Sequence, residues 1–179
     1  MLEILSDKDI MNEYPLKKII RYNHRIRLQD ESVAEHTCFV SLFCLKIMTR
    51  LNLTHEQQRQ VLILAALHDT AESRTSDIPH DVKAKYPAID DMLHQIEMDY
   101  YKETWNEYFD DVYRPQFMVY NILKLADAYS VYQWCLNEQS LGNKCDYLED
   151  IFKDAKSRIE KYTQTINVLN EKLKGEANE

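Results

Sequence analysis

Glycine is the residue that most restricts what this chain can become. Gly142 and Gly175 are the only two in 179 residues, where ~7% is usual. Neither stands in a G-x-G-x-x-G or G-x-x-x-x-G-K-[ST] context. Dinucleotide-binding and P-loop folds need such glycines to bring backbone N–H groups against phosphate, so both are excluded. All-β folds need many tight turns, which two glycines and four prolines cannot supply. The chain is therefore expected to be all-α. Hydrophobic residues make up 45%, enough for one core, and the length suits one domain. We expect a compact helical bundle over residues 1–174 and a frayed tail over 175–179.

A formal charge of −8 argues against a duplex nucleic-acid partner, which would meet a basic surface. A small anionic substrate stays compatible, because a metal and a few cations act at short range. Cys38, Cys44, Cys135 and Cys145 form no C-x-x-C pair, and three of them sit in apolar helical patterns as small hydrophobes do. Met1 to Asn12 shows no signal-peptide pattern, and there is no apolar stretch of ~20 residues. The expectation is a cytoplasmic protein with no membrane partner.

The helices are marked by their caps. Ser32-Val33-Ala34-Glu35 and Thr54-His55-Glu56-Gln57 both read as capping boxes. The first predicts a helix to about Leu51. The second predicts one running through Val61–Leu67 to near Ser73, apolar all round and hence central. Pro87 to Trp105 is the next, with Ile89, Met92, Ile96 and Tyr100 in step. Pro115 then opens a helix to about Leu136. The last carries Ile151, Ala155, Ile159, Tyr162, Ile166, Leu169 and Leu173 at intervals of three or four. Leu2 to Ile20 should hold one or two short helices, and Arg21–Glu31 a polar connecting loop.

At the end of the most apolar run, Ala65-Ala66-Leu67 passes directly into His68-Asp69. Burying adjacent ionisable groups costs several kcal/mol each unless they are paired or bind a metal. A His–Asp pair that merely caps the helix is the competing reading. Two further residues shift the balance. His36 lies one turn into the first capped helix, and Asp127 interrupts the apolar Leu125-Ala126-Asp127-Ala128. His36, His68, Asp69 and Asp127 form a mixed nitrogen and oxygen set. Such a set suits a first-row transition ion with positions left for water or substrate. Mn2+, Co2+ and Fe2+ fit at least as well as Zn2+, and Mg2+ stays open. The remaining histidines, His24, His55, His80 and His94, show no partner spacing and read as surface residues.

His36 … His68-Asp69 … Asp127 resembles the H…HD…D signature of the HD-domain phosphohydrolases. Glu31-Ser32-Val33-Ala34-Glu35-His36, Ala66-Leu67-His68-Asp69-Thr70-Ala71-Glu72, Asp77-Ile78-Pro79 and Lys124-Leu125-Ala126-Asp127-Ala128 resemble its small 5′-deoxynucleotidase-like branch. That branch includes small phage dNTP triphosphohydrolases. The resemblance spans about residues 15–140 and implies a compact all-α fold holding one divalent ion. It implies catalytic roles for Asp69 and for Glu72, which would orient a water or move a proton. It places Asp77 near the sugar 3′-hydroxyl, although the branch has Gly-Asp where this chain has Ser76-Asp77. Arg21 and Tyr22 match an Arg-Trp pair that faces phosphate and sugar or base. Spacing adds Lys124, three residues before Asp127, and Lys83, just after the Asp77–Pro79 turn, as cations for further phosphate.

The expected function is hydrolysis of 2′-deoxynucleotides. A 5′-deoxynucleotidase ranks first and a dNTP (dATP) triphosphohydrolase second. A non-catalytic nucleotide-binding module of the same fold is the reading from another class. A homo-oligomer is expected from the apolar stripe of the last helix, which could equally pack within one subunit.

Overall fold

The computed structural model describes residues 12–176. Most of the predicted Leu2–Ile20 helices lie outside these residues. The described part holds one 3-10 turn, Tyr14–Lys18. The helices are α1 (Val33–Met48), α2 (His55–Leu67), α3 (Glu72–Thr75), α4 (His80–Lys85), α5 (Pro87–Thr104), α6 (Phe109–Tyr113), α7 (Phe117–Ser140) and α8 (Asp146–Glu176). Gly175 and Glu176 of the expected tail belong to α8, and 177–179 lie outside the described residues.

Both capping boxes form. Ser32 Oγ accepts from the Glu35 N–H, and Thr54 Oγ1 from the Gln57 N–H. Each N3 side chain in turn accepts from its cap backbone. Two orphan donors are thereby satisfied at each helix start.

α1, α2, α7 and α8 surround the main core. Val40, Cys44, Val61, Leu64, Ala65, Val119, Ile122, Ala126 and Ile166 are buried there, with Ile159, Tyr162, Leu169 and Leu173 packed against them. The α8 stripe therefore packs inside the subunit. The most buried helix is α7, from Met118 to Glu138, whereas α2 leaves Leu62 42% exposed. The apolar run predicted the wrong central helix because α7 hides its role behind buried polar groups: Asn121, Ser130 and Glu138. The α5 stripe is another departure. Ile89, Met92 and Ile96 are exposed, and only Tyr100 at its C-terminal end is buried.

α2 also stops at Leu67, short of the expected Ser73. The Leu67 carbonyl accepts from Thr70 N (3.0 Å), Thr70 Oγ1 (2.8 Å) and Tyr101 Oη (2.5 Å). The Thr70 hydroxyl competes for an acceptor that a continuing helix would give to residue 71. The chain tightens into i→i+3 turns, with Glu72 N–H donating to Asp69 O and Ser73 N–H to Thr70 O.

The loop Arg21–Glu31 is an excursion closed at its base. Ile20 and Ser32 form an antiparallel bridge, with Arg21 N–H donating to Glu31 O and Val33 N–H to Ile19 O, both at 2.9 Å. Glu138, fully buried, accepts from the Leu28 and Gln29 N–H groups (2.9 Å each) and from Asn143 Nδ2 (2.7 Å). A buried carboxylate with several donors is satisfied rather than costly. It fixes the loop that carries Arg21 and Tyr22.

Candidate metal centre

Three helices bring their polar residues to one point. α1 supplies His36, almost fully buried at 1%. The turn after α2 supplies His68 and Asp69, and α7 supplies Asp127. His36 Nε2 lies 3.4 Å from Asp69 Oδ2 and 3.4 Å from Asp127 Oδ1. His68 Nε2 lies 3.2 Å from Asp69 Oδ2. One ligand atom each from His36, His68 and Asp69 fall within 4.8 Å of one another.

The His68 tautomer suits coordination. His68 Nδ1 faces the Ala65 carbonyl at 2.9 Å, so Nδ1 carries the proton and Nε2 holds a lone pair. That Nε2 is buried and has no hydrogen-bond partner. Such an orphan is costly unless something else binds it. His36 Nδ1 faces Ser130 Oγ at 3.0 Å and accepts from the Arg21 guanidinium, which can only donate, so the ring proton sits on Nε2 toward the carboxylates and an ion bound there would have to displace it. Asp127 divides its oxygens: Oδ1 faces His36 while Oδ2 is held by Arg158. Two carboxylates around a lone-pair nitrogen make a site for a cation, and the residues fit a divalent ion.

Ionisation follows the same geometry. Burial and the Arg21 charge push His36 down to about 4, so its ring is neutral. Burial opposes charge on Asp69 and Asp127, but His68 beside the first, and His36 and Arg158 beside the second, outweigh it and hold both carboxyls below their usual range. Burial also opposes charge on His68, yet Asp69 raises it overall. Glu72 behaves differently. Burial, Asp69 and Asp77 push it up to about 9, with Arg21 and Lys83 pulling the other way.

The remaining expected residues fall in two groups. Arg21 pairs with Glu31 at 3.2 Å and reaches His36. Tyr22 adopts φ 54° and stacks on Trp134 with ring centroids 4.3 Å apart. Its N–H donates to Asp77 Oδ2 at 3.2 Å, tying the Arg21 loop to the turn after α3. Ser76 stands at φ 62°, the left-handed region that favours glycine. The Gly-Asp to Ser-Asp departure therefore falls where the backbone needs it least. Lys83 acts on Glu72 and on Glu97. Lys124 shares α7 with Asp127, but its ammonium lies over the Tyr120 ring, 5.6 Å from the centroid. His24, His55 and His94 are exposed, His94 against the Tyr113 ring; the His80 side chain lies outside the described residues.

Arg158, Ser130, Glu31 and Trp134 reach the site or the groups that frame it without having been expected there. Arg158 carried a signal: it lies three residues after Ala155 and four before Tyr162, on the apolar stripe of α8 where a cation needs a partner. Ser130 and Trp134 sit three and seven residues after Asp127, on its side of α7.

Residues 12–172 match the profile of the family described as 5′-deoxynucleotidase YfbR-like. The chain is 28% identical over 172 residues to a 5′-deoxynucleotidase YfbR of Salmonella arizonae, covering 88% of this chain and 78% of that one. Its fold is similar to an HD-domain phosphohydrolase from Listeria innocua, with a TM-score of 0.70 at 20% identity, over 89% of this chain and 82% of that one. It is also similar to the cyanophage S-2L HD phosphohydrolase DatZ, solved bound to dA and one catalytic Zn2+ ion. There the TM-score is 0.60 at 19% identity, over 93% and 99% of the two chains.

Proposed function

The chain belongs to the YfbR-like 5′-deoxynucleotidase family, and from that premise we propose that it removes phosphate from deoxynucleoside 5′-monophosphates with a divalent metal ion. The observation that carries this reading is the buried Nε2 of His68, without a hydrogen-bond donor and 3.2 Å from Asp69 Oδ2, in a group of potential ligand atoms from His36, His68 and Asp69 that Asp127 joins through His36.

His36, His68, Asp69 and Asp127 hold the ion. When bound, it supplies Lewis acidity toward a phosphoryl oxygen and lowers the pKa of a bound water. Mn2+, Co2+, Fe2+ and Zn2+ all suit two imidazoles and two carboxylates, and Mg2+ is tested beside them. Arg21, at the back of His36, offers a planar fork to phosphate oxygens, and Lys83 adds a second positive charge. The leaving 5′ oxygen needs a proton. Glu72, raised in the metal-free protein by burial and by Asp69 and Asp77, is the acid we assign to donate it. The attacking water returns a proton to Glu72 at the end of the turnover. Asp77 and Tyr22, tied to one another, form the wall where the sugar and base lie.

Lys83 also suits a longer phosphate tail, so dATP is the second substrate to try. Lys124 rests on Tyr120, which favours the shorter one. Metal-stripped protein is incubated with dAMP or dATP and added Co2+, Mn2+, Zn2+ or Mg2+, and the products are resolved by ion exchange. Orthophosphate from dAMP is the expected product. Triphosphate with deoxyadenosine from dATP would replace this reading with a triphosphohydrolase. Neither product, with metal bound, would leave a binding module.

A further inference from the structure

His36 Nδ1 has two donors aimed at one lone pair. The Arg21 guanidinium reaches it from the 21–31 loop, and the Ser130 hydroxyl from α7 at 3.0 Å. The two competitors differ in one respect. A hydroxyl has lone pairs of its own and can turn to accept, whereas a guanidinium carries five N–H groups and no acceptor. Arg21 is therefore compatible only with a ring that keeps its proton on Nε2. An ion held by Nε2 takes the lone pair there, and the proton of a neutral ring must then sit on Nδ1. Nδ1–H against an arginine N–H sets donor against donor.

We propose that Ser130 is the positioning residue of His36 in the ion-bound protein, accepting its Nδ1–H, and that loading the ion turns the Arg21 side chain off His36 and toward the incoming phosphate. This rests on the metal-centre reading above and adds an order to it. Arg21 occupies His36 before the ion arrives and serves the substrate afterwards. Only the side chain has to move. The Arg21 N–H stays bonded to the Glu31 carbonyl at 2.9 Å, and Glu31 Oε2 holds Nη1 at 3.2 Å as a pivot.

Ser130 has no such freedom to leave. It is 2% exposed on α7, three residues after Asp127. Asp127 Oδ1 lies 3.4 Å from the other nitrogen of the same ring, so α7 holds His36 at both ends. The two partners of Nδ1 act on the ion in opposite senses. Ser130 stabilises the ring form that binds it. Arg21 opposes that form, and its charge also repels a cation, so substituting the arginine alone reads two effects at once. Ser130 carries no charge and separates them.

The wild-type protein, labelled with nitrogen-15 at histidine and arginine, tests this by NMR with and without Zn2+, a diamagnetic ion. Without Zn2+, His36 should show a protonated Nε2 and a bare Nδ1, and the Arg21 guanidinium should give the signals of a held group. With Zn2+, Nδ1 should become the protonated nitrogen, and the Arg21 signals should move to those of a released guanidinium. Chelator competition then gives the Zn2+ affinity, which Ser130→Ala should lower about tenfold. In that variant the Zn2+-bound His36 Nδ1–H, now without its acceptor, should exchange faster with water. Arg21 signals that do not change on loading would overturn the proposal and leave the metal centre standing. So would a Ser130→Ala protein that binds Zn2+ as tightly as wild type. A His36 Nε2 resonance untouched by Zn2+ would overturn the centre as well.

Discussion

Glu72 and Arg158 show how far a residue's surroundings can depart from what its type suggests. A glutamate held up at about 9 keeps a proton that the unfolded chain releases near its ordinary value. The stabilisation from that proton is complete below the unfolded value and is lost as pH rises toward about 9. The melting temperature of metal-free protein should therefore fall across that range, and Glu72→Gln should flatten the slope. Using the variant as reference removes the contribution of His68, which is also raised and loses its stabilisation as pH climbs. Two parallel curves would remove the proton from Glu72. In the loaded enzyme the same variant should bind metal normally and lose about 100-fold or more in kcat. Arg158→Met keeps the stem that packs on α7 and removes the clamp on Asp127 Oδ2. Metal affinity measured by chelator competition should fall about 10–100-fold, and an unchanged affinity would make the pair merely structural. The α8 stripe marked Arg158 as needing a partner but did not name Asp127, and the local pattern said nothing of how Glu72 is surrounded. A motif places Glu72 near Asp69, but its burial comes from elements far along the chain.

At the scale of elements, the capping boxes were legible because both partners lie within four residues. The stop of α2 was not, because Tyr101, thirty-four residues away, helps to claim the Leu67 carbonyl. The same break frees His68 and Asp69 from a regular helix and sends α3 into the turn at Ser76. That turn stores strain. Ser76 at φ 62°, ψ 172° costs of order 1–3 kcal/mol as a residue with a Cβ. Ser76→Gly should therefore raise the urea midpoint, with a gain of about 1 kcal/mol. A loss of stability would show that Ser76 makes a compensating bond. The α5 stripe had the right period but no neighbour to meet it, since periodicity reports a face and not what covers the face.

The whole molecule is a helical frame around two carboxylates and two imidazoles, the set proposed above to hold a divalent ion. Removing the ion with a chelator should lower the melting temperature, and readdition should restore it. At a thousandfold excess over the dissociation constant, the gain is about 4 kcal/mol. Calorimetry with and without metal reads this directly, and an unshifted transition would place the ion elsewhere. Among the described residues no helix is long and apolar enough to cross a membrane. The α8 stripe, read as a possible oligomer signal, instead closes the core, while apolar side chains of α1 (Phe39, Leu42, Leu45) and α5 (Ile89, Met92, Ile96) are among those left exposed.

The sequence by itself determined the fold class, through scarce glycine and helical periodicity. It also determined the candidate ligands, because His68-Asp69 at the end of an apolar run, with His36 and Asp127 in apolar surroundings, is a pattern local enough to read. The tertiary structure decided which helix is central, where α2 stops, which side chains orient the ligands and which apolar face stays outside. Those outcomes depend on contacts between residues tens to more than a hundred positions apart, such as Glu138 with Leu28 and Asp127 with Arg158. Hydrophobic burial is non-directional. It establishes that a face is buried, and only the packed chain specifies against what.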